Sequence, residues 1–436
     1  MKTPDKSKIK HFDFEKKPIT PCFLMSLAKW IISWPDLKKR GAVLTKTNME
    51  GIEDKPYLML VTHSSMVDFN LMLKATHPYK VNNVMTLEGF NTYTEPLMRS
   101  LGVLGTRKFI TDIHLIKNMK YCVDKLKNPF VLFPEARYSL DGCTSYLPPS
   151  LGKMVRLLGV PVVVLKIHGN FVTCPQWNKI NKKTFVEAEM KQIITAEETK
   201  TLSVAEMNQR IADNFQYDDF AWQKEKKIKI DHPQRAKGLH ALLYKCANCK
   251  EENFMHSEGT RLWCNACGKR WEMDEYGELH GLKITTDPHG MTDEQEGETE
   301  FSHIPDWSNW ERECVREEIE NGTYYFEDDV RVETLPGSWK FYKQGMGKFI
   351  QTPEETRVEC NYYGEPYVLR RSAKSLESMH IEYDYLGRGD CVDISIPDDS
   401  FWCYLTKRNA ITKISFATEE IHKRAMRKEN VSNGKV

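Results

Sequence analysis

Residues 57–69, YLMLVTHSSMVDF, decide how the chain folds. The run YLMLV reads as a buried strand of a parallel sheet, and a helix follows from about Ser65. Between them stand His63 and, five positions on, Asp68. On one helix five positions turn side chains about 140° apart, and on one strand they face opposite ways. The two side chains meet only if His63 sits on the turn after the strand and Asp68 in the first turn of the helix. A carboxylate on one imidazole nitrogen would fix the tautomer and leave the other nitrogen to take a proton from a hydroxyl. Ser65-Met-Val-Asp68 also has the spacing of a capping box, so Asp68 has a second reading as a helix tie.

The same texture continues outward. VNNVMTL (81–87), PFVLF (129–133) and VPVVVLKI (160–167) read as strands. Residues 111–128, 150–158 and about 203–216 read as helices. Short apolar strands separated by helices predict an α/β domain, residues 37–237, with a mostly parallel sheet. Before it, residues 1–36 carry a helix capped by Thr20, with Pro21 in its first turn and Pro35 as its stop. Phe23, Leu27, Trp30, Ile31 and Trp34 share one face, and Ser26, Lys29 and Ser33 form a narrow polar stripe. Such a helix suits a membrane interface or, equally, packing on a core.

After a lysine-rich link come Cys246-x2-Cys249 and Cys264-x2-Cys267, separated by fourteen residues. Two such turns present four thiolates to one tetrahedral Zn²⁺. The site looks like a zinc ribbon over 238–285, structural because no coordination place is left for water. His256 lies between the pairs and is not expected to be a ligand. Residues 286–304 read as a linker. From 305 to 436 the pattern becomes short strands closed by a helix at ATEEIHKRAMRK, with Thr418 as its cap: a β-barrel or sandwich with weak pleckstrin-homology-like element order. The expected fold is therefore multidomain, α/β plus zinc ribbon plus β-rich.

Composition narrows the class. With 436 residues, several domains are expected. A formal net charge of +1 gives no global pull on nucleic acid or membrane. No secretory signal and no spanning apolar run stand in the chain, and the eight cysteines outside the cluster are scattered. Both fit a reducing, cytoplasmic location. In the ribbon, Lys245, Lys250, Lys269 and Arg270 are offset by Glu251, Glu252, Glu272, Asp274 and Glu275. Nucleic-acid binding by an adaptor is accordingly the minority reading.

Four blocks in order over about residues 50–220 resemble the glycerolipid acyltransferases, the lysophosphatidate acyltransferases in particular. His63 and Asp68 match that family's HxxxxD. LGVLGTR (101–107) resembles its second block, ending in a phosphate-contacting arginine. FPEARYS (133–139) resembles FPEGTRS, and Val160-Pro161 with VVVL resembles the fourth block without its second proline, at Val164. In the third block Gly-Thr-Arg appears as Ala136-Arg137-Tyr138, so the arginine stands one place early. The resemblance implies acyl transfer from acyl-CoA or acyl carrier protein to lysophosphatidic acid, giving phosphatidic acid in phospholipid biosynthesis, with another lysophospholipid as the alternative acceptor. It implies His63 as base, Arg107 and Arg137 on the acceptor phosphate, and a peripheral place on the inner face of the membrane. Glu135 would hold a hydroxyl or one of the arginines. Ser64 and Ser65 lack a nucleophile elbow and read as turn and cap residues. His168 reads as structural.

Overall fold

The protein is described by a computed structural model covering residues 6, 9–92, 94–110, 112–286 and 292–432. Its strands fall into three sheets. The first holds β1 (Val43–Thr47), β2 (Leu58–Val61), β3 (Asn82–Thr86), β4 (Val103–Thr106), β5 (Phe130–Leu132), β6 (Val162–His168) and β7 (Glu187–Ile194), in the order β1-β7-β6-β2-β5-β3-β4. Every pairing is parallel except β6 with β7. β2 lies at the centre and is fully buried because its alternate residues serve two cores. Met59 and Val61 join Leu71, Val131, Val163 and Leu165 on one face. Leu58 and Leu60 join Phe130, Val162, Val155, Ile211 and Phe215 on the other. This is the continuous apolar strand of a sheet covered on both sides.

Helices Val67–Thr76, Leu151–Leu158 and Val204–Phe215 supply the cover. The last has a full capping box, with Ser203 accepting from the Glu206 amide and Glu206 reaching back. The N-terminal helix differs from expectation. It runs Phe23–Ala28, widens into a π-turn at Lys29–Ser33, and continues as Trp34–Lys39. Pro35 does not stop it: the helix widens into the π-turn just before the proline and runs on past it.

The second sheet is antiparallel: β8 (Met255–Glu258), β9 (Arg261–Cys264), β10 (Arg270–Met273), β11 (Leu279–Thr286) and β12 (Thr292–Glu296), in the order β12-β11-β10-β9-β8. The expected linker 286–304 is thus corrected at its start. β12 pairs with β11 and belongs to the ribbon's sheet, while 287–291 lie outside the described residues.

Helix Ile304–Glu320 follows. The third sheet then comprises β13 (Phe326–Thr334), β14 (Tyr342–Gln351), β15 (Glu355–Tyr362), β16 (Glu365–Ser372), β17 (His380–Glu382), β18 (Cys391–Ser395) and β19 (Ser400–Leu405), in the antiparallel order β16-β15-β14-β13-β19-β18-β17. Helix Ile411–Ser432 closes the chain's described part. Thr418 lies inside that helix, not at its cap, with Oγ1 donating to the Ile414 carbonyl at 2.9 Å. Ribbon and C-terminal sheet share one apolar cluster containing Leu262, Trp271, Trp307, Phe349, Phe401 and Ile414. Leu140 and Phe171 of the α/β layer enter it too.

Candidate active site and metal centre

The turn after β2 brings His63 and Asp68 together. Nδ1 of His63 is 3.1 Å from Oδ2 of Asp68, with the histidine side chain 23% exposed and the aspartate fully buried. The same Oδ2 accepts from the amides of Ser64 (2.6 Å) and Ser65 (3.0 Å), and Oδ1 accepts from Asn170 Nδ2 at 2.5 Å. Asp68 thus both contacts the ring and ties the amides of the turn, but the capping box does not form: the Asp68 amide donates to the Ser65 carbonyl, and Ser65 Oγ accepts from the Val67 amide. Because a carboxylate only accepts, the neutral ring would carry its proton on Nδ1 and its lone pair on Nε2. The ring lies between Phe133 and Tyr138, each with its centroid 4.3 Å away.

Glu135 is held by the protein itself. It is buried beneath the turn, where Oε2 accepts from the His63 amide at 2.8 Å. Oε1 accepts from the Ser145 amide (2.7 Å) and the Tyr217 hydroxyl (3.1 Å). Burial pushes its carboxyl up to about 7 against the pull of those donors. The Ser139 amide donates to the His63 carbonyl at 2.8 Å and closes the frame. Glu135 thus holds the His63 backbone and the Tyr217 hydroxyl, while the Arg137 guanidinium bonds to Ser415 and Glu419 instead. Asn170 and Tyr217, which brace the two carboxylates, stand 102 and 82 residues from their partners, so no local pattern announces them.

The two arginines expected on a phosphate are elsewhere. Arg107 is 4% exposed and turned into the C-terminal domain. It donates at 2.8 Å each to the carbonyls of Leu335 and Pro336 and to Ser400 Oγ. Arg137 is equally buried, 2.6 Å from Glu419 Oε1 and 3.1 Å from Ser415 Oγ, in the closing helix. Arg312 meets the other oxygen of Glu419 at 2.7 Å. The reason is local as well as tertiary. Ala136 adopts φ 54°, the left-handed turn conformation, which sends Arg137 toward the domain boundary and lays Tyr138 over His63. A cavity of about 210 Å³ lies apart from His63, under the N-terminal strap, lined by Phe12, Ile19, Arg99 and Gly105.

The four ribbon cysteines converge, with all sulfurs within 4.8 Å of one another. Cys246 and Cys267 are 3.8 Å apart, and Cys249 and Cys264 3.7 Å. A tetrahedral ion with metal–sulfur bonds near 2.3 Å requires sulfur–sulfur edges of about 3.8 Å. Asn248 Nδ2 and the Cys249 amide donate to Cys267 and Cys246 sulfurs. Four cysteines so placed could hold a metal ion. No disulfide forms among the described cysteines.

The N-terminal helix buries Met25 and Leu37 but also puts polar groups inside and large apolar ones outside. Lys29 and Ser33 are buried, donating to the Tyr79 carbonyl and to Asn70 Oδ1, each at 3.1 Å. Phe23, Leu27, Trp30, Ile31 and Ile32 face solvent, from 47% to 73% exposed. No helix among the described residues is long and apolar enough to cross a membrane.

No family model matches the chain, and neither does any curated protein. Among solved structures, similarity is found to the 1-acyl-sn-glycerophosphate (LPA) acyltransferase PlsC of Thermotoga maritima, at 18% identity over 43% of this chain and 81% of that one, with a TM-score of 0.30. Agreement this loose leaves the chemistry to be read from the site itself.

Proposed function

We propose that the chain moves a fatty acyl group from an acyl thioester, of coenzyme A or acyl carrier protein, to the hydroxyl of a lipid. Lysophosphatidic acid, giving phosphatidic acid, is the acceptor that the four-block resemblance implies. The observation that carries the reading is the His63–Asp68 pair on its strand-turn-helix. Nε2 would take the hydroxyl proton as the oxygen attacks the thioester carbonyl. The C–O bond forms, the C–S bond breaks, and the departing thiolate takes the proton back from the imidazolium. The amides of His63, Ser64 and Ser65 already serve Glu135 and Asp68, so oxyanion donors come from other backbone.

The outward apolar face of the N-terminal helix supports a peripheral place on a membrane, the cytoplasmic face by our reading. An interfacial helix buries such a face among headgroups. Cys246, Cys249, Cys264 and Cys267 would hold a structural Zn²⁺. Trp271 is buried, and Lys245, Lys269 and Arg270 pair with Glu252, Glu300 and Glu294, which speaks against a nucleic-acid surface on the ribbon. The test is purified protein with acyl-CoA and a panel of lysophospholipids, beside His63→Ala. Acyl transfer by the wild type alone supports the reading; equal rates from both proteins refute it.

A further inference from the structure

Resting on that reading, the surroundings of His63 go further and bear on the acceptor. A phosphate monoester brings nearly two negative charges, and burying them unpaired is strongly unfavourable. Sites that bind phosphate therefore aim guanidinium or ammonium groups at it. Here the guanidiniums of Arg107 and Arg137 are buried and bonded to the C-terminal domain. Lys108 is held by Glu88 at 2.9 Å and His380 at 2.9 Å, and Lys179 donates to the Asp384 carbonyl at 2.8 Å. Lys182, whose Nζ has no hydrogen-bond partner, lines a separate crevice with Trp177, Phe220 and Met273.

What meets His63 is aromatic and apolar. Phe133 and Tyr138 flank the ring, and the Tyr138 hydroxyl reaches Met66 Sδ at 3.3 Å, with Met66 itself 67% exposed. Burial first, then Asp68, Glu382, Cys174 and Glu88, push the phenol well above its ordinary range and keep it neutral. An approaching phosphate would meet rings and, behind the histidine, the Asp68 carboxylate. An uncharged glycerol hydroxyl would lose nothing to either, and its acyl chain would lie on the exposed Met66 thioether and the half-buried ring faces.

We propose that the acceptor at His63 is an uncharged lipid alcohol of the monoacylglycerol type, and that Tyr138 sets this preference by laying its ring over His63 while the adjacent Arg137 turns away to Glu419. The experiment uses the full-length protein and acyl-CoA in mixed micelles. Monoacylglycerol, lysophosphatidate and lysophosphatidylcholine are compared at equal surface fraction, with thioester hydrolysis followed in parallel. Monoacylglycerol should be acylated about tenfold or more faster than lysophosphatidate. Tyr138→Arg should move that ratio about tenfold toward lysophosphatidate, chiefly through KM, and Tyr138→Phe should leave it unchanged. A wild type that prefers lysophosphatidate, or one that hydrolyses thioester through His63 yet spares monoacylglycerol, overturns the acceptor class alone. If nothing is acylated and hydrolysis is equal in His63→Ala, acyl transfer itself falls, and this inference with it. The wild-type ratio decides the matter even should Tyr138→Arg fail to fold.

Discussion

Two histidine–carboxylate pairs stand at the carboxyl ends of the neighbouring strands β2 and β6. His63–Asp68 is 3.1 Å and His168–Asp219 3.3 Å, with ring exposures of 23% and 20% and both aspartates buried. Each aspartate also ties down backbone amides, Asp219 those of Gly169 and Phe171. By distance and burial they are near copies. They differ in what covers the ring. His168 lies flat on Trp222, at 5.8 Å and 12°, and Trp222 lies flat on Phe185. His63 sits between tilted rings beside an exposed methionine. A histidine–carboxylate contact is therefore no signature by itself; its neighbours decide whether it braces or acts. We assign proton transfer to the first pair and bracing to the second.

The sharpest way to break that contrast is to remove each ring. His63→Ala should lower acyl transfer by about 10²–10⁴. His168→Ala should leave the rate within a few-fold and instead lower the melting temperature. Equal loss of activity from both would dissolve the distinction. Next in size is Arg137→Ala, which leaves Glu419 with Arg312 as its remaining cation. About 3–5 kcal/mol of stability in denaturant should go, while the rate per folded molecule is kept, because Arg137 points away from the ring. A loss confined to lysophospholipid KM would return Arg137 to the acceptor.

Acid sharpens the same point. Burial alone would raise Glu419, but Arg137 and Arg312 overcome it and hold the carboxyl at about 2. A depressed carboxyl stabilises the fold above its unfolded value of about 4.5, and that stability drains as pH falls toward 2. Melting curves of the wild type should therefore decline across this window more steeply than those of Glu419→Gln. The smallest effect is at Ala136. Relieving its left-handed conformation with Ala136→Gly should stabilise the protein by about 1 kcal/mol and leave Tyr138 over the ring. A changed acceptor preference in that variant would show that the turn, not Tyr138, shapes the mouth.

What the sequence reveals divides along the same line. The central strands are apolar runs, and His63 and Asp68 belong to one strand-turn-helix, so both the layer and the pair are legible. β1, at the sheet's edge, and β7 beside it escape because they mix exposed or half-buried polar residues with their apolar ones. Helix Ile304–Glu320 escapes because its buried stripe, Ile304, Trp307, Val315 and Ile319, is interrupted by the buried Glu311. The arginines mislead for a different reason. A long cation takes whichever acceptors the folded chain offers, and for Arg107 those lie 228 to 293 positions away.

The hold that Leu335, Pro336 and Ser400 have on Arg107 bears on any attempt to dissect the molecule. A fragment ending near residue 237 would leave that guanidinium without its carbonyl cradle and strip Leu140 and Phe171 of the apolar neighbours they now share. Such a piece should be recovered from cells as aggregate. Cutting the chain between these parts should therefore cost both of them stability.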